Sequence, residues 1–116
     1  MILTTHEMLI KPEYFELVKA GKKIYEVRTN DERRKNMHVG DKIRLIKEPE
    51  KQETLLLEIL DKLEFPTFTA LYDALPKEDV GFAGRTTSDI VNELRRFYSE
   101  ELEKRLGVVA IKVRVI

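Results

Sequence analysis

The sequence predicts an α+β domain built on a small five-stranded β-barrel with helices packed at its ends. β-compatible segments occur five times in 116 residues and alternate with segments of helical period, in the order β-α-β-β-β-α-α-β. The closing segment, Val108–Ile116, alternates almost perfectly between two sets of side chains, as a strand with one buried face does. Five strands are few for a flat sheet, so a curved or closed barrel fits them better. The length favours a single domain covering residues 1–116.

The first half of the chain predicts three strands and one helix. Met1–Leu9 is rich in β-compatible residues and predicts the first strand. Pro12 suits the first turn of a helix, and apolar residues at helical spacing continue it until Gly21. Lys23–Arg28 and Lys42–Lys47 predict the second and third strands, and a polar, turn-rich segment joins them.

The second half predicts two more strands with two helices between them. Thr54–Leu63 is apolar and ambiguous in period; a preceding polar link favours a strand. Thr67 is the predicted cap of a short helix, and a flexible loop is expected from Pro76 through VGFAGRTTS. From Asp89 the apolar residues form one stripe of a single amphipathic helix that ends at Gly107.

Composition excludes several kinds of chemistry. The chain has no cysteine, which removes disulfides, thiolate nucleophiles and cysteine zinc sites. Only His6 and His38 are present, so neither a histidine-built metal site nor another cofactor is expected. No apolar stretch approaches the ~20 residues that span a bilayer. The segment MILTTHEMLI lacks the features of a signal peptide, so a cytoplasmic protein without membrane contact is expected.

Charge is distributed unevenly, although the formal net charge is zero. Residues 1–47 carry eleven Lys and Arg against seven Asp and Glu, a net +4, and the remaining residues carry −4. A basic region of this kind is able to hold an anion such as phosphate. The alternative is an ordinary solvated surface of mixed charge.

The segment AGKKIYEVR at residues 20–28 contains the strongest candidate site. Glu26 and Arg28 are two residues apart, so a regular strand presents both on one side. Strict alternation would place Lys23 on the opposite side, unless Lys23 belongs to a turn that Gly21 releases from strand geometry. We predict that all three side chains face the barrel mouth as a compact polar site of net charge +1. The alternative is a structural ion pair.

Four further residues are candidates for contacts or catalysis. Arg33 and Arg34 lie in a basic cluster that would contact phosphates, or would be solvated. Phe82, between two glycines, is the aromatic residue that packing explains least, and it would stack on a base. Asp89 is either a catalytic acid or an acidic residue that complements a helix dipole.

Two segments in order, LVKAGKKIYEVR and VGDKIRL, resemble the signature of ASCH domains, members of the PUA-like barrel superfamily. That signature is roughly G-x-K-x-x-E-x-R followed by G-D, and here its positions are Gly21, Lys23, Glu26, Arg28, Gly40 and Asp41. The closing LGVVAIKVRVI and the helix before it are similar to the family's last elements, so the resemblance covers essentially the whole chain. It implies a PUA-like barrel with a pocket for RNA or a modified nucleoside.

The resemblance also implies possible enzymatic activities. Some ASCH proteins of similar length are amidohydrolases that deacetylate N-acetylcytidine, while others are RNA-binding modules or ribonucleases. The deacetylases use a lysine, a threonine three residues later and a glutamate near the start of the late helix. Lys23 occupies the lysine position, Glu26 stands at the threonine position, and Asp89 is the acid nearest the third position.

Three functional hypotheses follow. The first is a module that binds RNA or a modified nucleoside through Lys23, Glu26 and Arg28, with Arg33, Arg34 and Phe82 as further contacts. The second is a small hydrolase, similar to N-acetylcytidine amidohydrolases or to ribonucleases. There Lys23 would polarise or deprotonate, Glu26 would shuttle a proton and Asp89 would assist. The third is a protein-interaction domain whose polar cluster is a closed salt-bridge network.

Overall fold

The computed structural model of the chain describes residues 2–116, in which five strands and five α-helices are present. The strands are β1 (Thr5–Ile10), β2 (Tyr25–Thr29), β3 (Lys42–Lys47), β4 (Thr54–Phe65) and β5 (Val108–Val115). The helices are α1 (Pro12–Lys19), α2 (Glu32–Lys35), α3 (Phe68–Ala74), α4 (Thr87–Leu94) and α5 (Glu100–Leu106), and a 3₁₀ turn spans Lys77–Val80. The predicted first strand began at Met1, which lies outside the described residues. Within residues 2–116, every helix is too short or too polar to cross a bilayer.

The five strands form one mixed sheet in the order β1-β3-β4-β5-β2. β1 runs parallel to β3, and the other neighbours are antiparallel. The long strand β4 joins two halves of the sheet, because its first residues pair with β3 and its later residues pair with β5. A register shift between Ile59 and Asp61 interrupts the second ladder, and such bulges bend a strand. The sheet curls into a half-barrel, which confirms the predicted fold class.

Two apolar clusters hold the helices on the sheet, and β5 contributes to both. Val109, Ile111 and Val113 belong to a cluster that includes the buried face of α1. Val108 and Ala110 belong to the second cluster, with buried side chains of α3, α4 and the 3₁₀ turn. Successive side chains of a strand point to opposite faces, so this strand is covered on both. Its near-continuous apolar composition follows from that double burial.

The single amphipathic helix predicted from Asp89 to Gly107 is wrong, because the structure has two helices there. α4 ends at Leu94, and a new helix, α5, begins after Ser99, whose hydroxyl accepts a hydrogen bond from the Leu102 amide at 3.1 Å. This cap satisfies an amide that would otherwise lack a partner, and α5 begins at Glu100 directly after it.

The connections are more structured than the sequence predicts. The segment after Pro76 was expected to be a flexible loop, but it contains the 3₁₀ turn and buries Val80 and Phe82. Thr67 caps α3 through its hydroxyl, as predicted, and Thr86, in the segment expected to be a flexible loop, caps α4 in the same way.

Asp41 fixes the turn that precedes β3. Its carboxylate accepts hydrogen bonds from His6 Nε2 at 2.8 Å and from the amides of Thr4 and His38 at 3.1 Å. The hydrogen bond from His6, together with those from the two amides, lowers the pKa of Asp41 to about 2. Asp41 therefore ties the start of β1 to the start of β3 at neutral pH.

Candidate functional site

A turn after α1 positions Lys23 outside regular strand geometry. The amides of Lys22 and Lys23 both donate to the carbonyl of Leu17, at 2.9 and 3.1 Å, and Gly21 has a φ of 75°. This conformation favours glycine, because a Cβ is strained there. β2 begins only at Tyr25, so Lys23 does not obey the alternation of that strand. Its side chain therefore reaches the same side as Glu26.

Lys23, Glu26 and Arg28 form a hydrogen-bonded cluster. Lys23 Nζ donates to Glu26 Oε1 at 2.6 Å and also to the carbonyl of Tyr25. Arg28 Nη1 donates to Glu26 Oε2 at 3.3 Å, so each carboxylate oxygen faces one cation. The side chains of Glu26 and Lys23 are 1% and 7% exposed, whereas that of Arg28 is 22% exposed. Arg28 is thus the member of the cluster most open to a ligand.

Arg28 also bridges the two edges of the half-barrel. Its Nη2 donates to the carbonyl of Leu9 in β1, at 3.3 Å, while its Nη1 donates to the carbonyl of Val27 in its own strand. β1 and β2 are the first and last strands of the sheet, so this guanidinium spans the gap between them. The polar cluster is consequently the floor of an opening between the sheet edges.

Burial and charge act in opposite directions on the buried pair. Burial lowers the pKa of Lys23, because it disfavours the ammonium, and the neighbouring Glu26 offsets only part of this effect. Burial by itself would raise the pKa of Glu26, but the charges of Lys23 and Arg28 outweigh it, and the pKa of Glu26 is lowered. Glu26 is therefore ionised at neutral pH and holds two cations.

A cleft of about 280 Å³ opens above this cluster. Its polar lining consists of Lys11, Lys23, Glu26, Arg28, Glu48 and Glu93. Its aromatic lining consists of Tyr14, Tyr72, Phe82, Phe97 and Tyr98. Ligand sites are commonly clefts of about 300 Å³ or more, lined mostly by apolar side chains with a few convergent polar groups. This cleft is close to that size and has both kinds of lining.

Phe82, predicted as a base-stacking residue, lines the cleft but is packed. It meets Tyr14 and Tyr72 edge to face at 5.7 Å each, and Arg85 lies 5.2 Å from its ring centroid. Phe82 is 9% exposed, so the expectation that packing explains it poorly is wrong. It forms part of an aromatic wall.

Asp89 and the basic residues of α2 lie outside the cleft lining. Asp89 is exposed in the first turn of α4, where its amide donates to the cap Thr86. Arg33 is exposed, whereas Arg34 is 12% exposed at its side chain and donates to Asp31 at 3.4 Å. Burial, with Arg28 next in effect, lowers the pKa of Arg34. Arg34 is therefore packed near the site rather than presented to solvent.

The acid that α4 does place in the cleft is Glu93, one turn after Asp89. Arg85 Nη1 donates to Glu93 at 3.3 Å and so orients its carboxylate. Glu93, Tyr14 and Tyr72 were not predicted from the sequence as site residues. The two tyrosines lie in segments that were predicted as helices, and Glu93 was not singled out. The helical spacing from Asp89 to Glu93 was the available signal, since residues four apart share a face.

Gly81 makes room for the side chain of Lys23. A Cβ at this position would lie 2.9 Å from Lys23 Cδ, and the φ of Gly81 is 86°. The same turn holds the chain beside Lys23, because the Ile24 amide donates to the carbonyl of Asp79 at 2.9 Å. The 3₁₀ turn therefore determines where the lysine stem lies.

We expect Gly81→Ala to lower the unfolding free energy by about 2 kcal/mol and to displace Lys23. The reason is that the cost of a Cβ at a positive φ adds to the cost of its steric overlap with the lysine side chain. Gly84→Ala is the matched control, since Gly84 has a φ of 78° but open space around it. Both variants place a Cβ at a positive φ, so the loss of stability in Gly84→Ala, measured by thermal denaturation, gives the cost of backbone strain. The additional loss in Gly81→Ala gives the cost of the overlap with Lys23. Equal stability of the two variants would contradict this role of Gly81.

Fold and site together define an α+β half-barrel domain with a polar-floored cleft between its sheet edges. The chain belongs to the ASCH domain family, whose model matches residues 8–116. This match confirms the family that the sequence signature indicated.

Solved structures share the fold of this chain. The chain is 34% identical to the hypothetical protein PH0355, with a TM-score of 0.83 and coverage of 97% of this chain and 99% of that one. It is 29% identical to protein PF0455 from Pyrococcus furiosus, with a TM-score of 0.75 and 97% coverage of each chain. ASCH from Zymomonas mobilis is 11% identical, with a TM-score of 0.67 over 95% of this chain and 66% of its own, and shares the fold. No curated protein matches the chain significantly.

Proposed function

We propose that this domain binds RNA or a modified nucleoside, with one base held in the cleft above Lys23, Glu26 and Arg28. The observation that carries the proposal is the buried cluster of net charge +1 at the floor of a cleft with aromatic walls. A carboxylate already held by two cations accepts little more, so the floor acts mainly as a donor. Arg28 has five N–H groups in a rigid fork. Its Nη1 donates to Glu26 and Val27 and its Nη2 donates to Leu9, so its remaining N–H groups are the donors for a base carbonyl or a phosphate.

The walls and rim of the cleft fit the same ligand. Tyr14, Tyr72 and Phe82 supply apolar faces and edges that accept a planar base. Glu48 and Glu93 lie at the lining and would accept hydrogen bonds from an exocyclic amine or from ribose hydroxyls. The presence of this cleft also argues against the closed network that a vestigial pocket would require.

The test is an NMR titration of the ¹⁵N-labelled protein with cytidine, uridine, adenosine, guanosine and N-acetylcytidine. We expect at least one nucleoside to shift the amide resonances of β2 and of the 3₁₀ turn, and Arg28→Lys to weaken that binding about tenfold, because a lysine cannot reproduce the fork. Arg33→Lys, on the exposed face of α2, is the matched control and should bind as wild type does. Absence of binding to all five nucleosides and to RNA would overturn the proposal.

A second candidate, an amidohydrolase acting on an acylated nucleoside, is favoured by one observation. Burial lowers the pKa of Lys23, and Glu26 lies 2.6 Å away, so the lysine would exchange a proton more readily than a surface lysine does. Incubation with N-acetylcytidine, followed by chromatography for cytidine, tests this activity. Release of cytidine that Lys23→Met abolishes would support hydrolysis; no release, or release unaffected by that variant, would contradict it.

A further inference from the structure

Phe97 is an aromatic residue that the fold exposes at the rim of the cleft. The apolar stripe of the sequence predicts that Phe97 is buried, but the break between α4 and α5 leaves it 59% exposed. It nevertheless belongs to the cleft lining. A large apolar side chain presented beside a polar site suggests a contact with a ligand.

The backbone that carries Phe97 is well fixed. The amides of Phe97 and Tyr98 both donate to the carbonyl of Leu94 at 2.9 Å. Arg95 donates to Glu103 at 2.7 Å, and Glu103 also accepts the Phe68 amide at 2.6 Å, so the connection is anchored to α5 and α3. The backbone at Phe97 is thus ordered before a ligand arrives, which reduces the entropy lost on binding.

A cation lies directly over this ring. Lys11 Nζ is 4.6 Å from the ring centroid of Phe97, and Lys11 also lines the cleft. Lys11 follows β1 by one residue, close to Leu9, whose carbonyl accepts from Arg28. An aromatic face next to an ammonium group matches one base and its phosphate, since stacking and phosphate contact are the two general means of holding single strands.

We propose that Phe97 and Lys11 form a second subsite at the rim of the cleft, which binds the nucleotide adjacent to the one above Lys23, Glu26 and Arg28. Phe97 stacks on the neighbouring base, and Lys11 contacts the phosphate between the two nucleotides. This inference rests on the proposed function and specifies its ligand as a single-stranded oligonucleotide rather than a free nucleoside. A protein partner would require a wider apolar surface than Phe97 and Leu9, the two exposed large apolar residues of the cleft lining.

The test compares two probes: the nucleoside of the series above that binds most tightly, and an RNA trinucleotide with the same base between two uridines. We expect wild type to bind the trinucleotide at least tenfold more tightly. Phe97→Ala should remove about tenfold of trinucleotide affinity and change nucleoside affinity less than twofold, whereas Phe97→Tyr should retain both. Lys11→Ala should weaken trinucleotide binding and make it less dependent on salt. Val39→Ala and Lys104→Ala, at exposed positions outside the cleft lining, are the controls.

The outcomes separate this subsite from the proposed function. If the nucleoside binds and the trinucleotide binds no more tightly, the subsite is overturned and the proposed function stands. An equal loss of affinity for both probes in Phe97→Ala would mean that Phe97 contacts the nucleoside above Lys23, Glu26 and Arg28, and would also overturn the subsite. Loss of self-association in Phe97→Ala, with unchanged RNA binding, would make the rim a protein contact instead. Failure of both probes to bind wild type would overturn both proposals.

Discussion

Glu26→Gln is expected to lower the unfolding free energy by about 3–5 kcal/mol, because it removes the only charge that compensates the buried ammonium of Lys23 in this cluster. A loss of this size corresponds to a fall in Tm of roughly 12–40 °C, at about 4–8 °C per kcal/mol for a domain near this size. Glutamine preserves the shape of the side chain, so the loss reports charge rather than volume. Thermal denaturation at pH 7 measures it, and Glu7→Gln, at an exposed carboxylate of β1, is the control.

The pH dependence of the same variant provides a second check. In wild type the pKa of Glu26 is lowered on folding, so its stabilising contribution is complete above the ordinary value of 4.5 and is lost as pH falls below it. Glu26→Gln should lack this acid-dependent loss. Burial lowers the pKa of Lys23 below 10.5, so the unfolded state binds more protons at high pH, and the stability of the variant should rise toward pH 10. If Glu26→Gln had the Tm of wild type and lost stability at acid pH to the same extent, the charge cluster would not be buried.

Arg28→Glu is expected to abolish nucleoside binding and to lower the unfolding free energy by about 3 kcal/mol. The substitution places a second carboxylate beside Glu26, which is 1% exposed at its side chain, and it removes the bridge from Arg28 to Leu9. Like charges at a buried position cost a few kcal/mol or force one group to bind a proton. The measurements are thermal denaturation and the NMR titration described above.

Arg33→Glu is the matched charge reversal, since Arg33 is exposed on α2 and lies outside the cleft lining. It should change Tm by no more than a degree or two and should leave nucleoside binding nearly intact. If Arg28→Glu matched wild type within that same range, Arg28 would not contribute to a buried pair, and the assignment of the cleft floor would be wrong.

The sequence by itself determined several local elements of this protein. Residues 42–47 alternate and form β3 over the predicted range, and Thr67 caps α3 because its hydroxyl satisfies an amide within its own turn. The common face of Glu26 and Arg28 also follows locally, from the two-residue period of a strand. Glycine at position 21 permitted Lys23 to leave that period, but no residue nearby decided between the two arrangements.

Only the tertiary structure decided which residues meet in the cleft. Lys23 reaches Glu26 because the 3₁₀ turn, with Gly81 at its end, leaves space for the lysine stem, and no pattern near Lys23 encodes that space. Phe97 is exposed because Ser99 and Glu103 start and anchor a second helix, although its own period predicts burial. Local periodicity records which face of an element is apolar. The direction in which one element meets the next depends on packing and hydrogen bonds between residues far apart in the chain, and these determine the site.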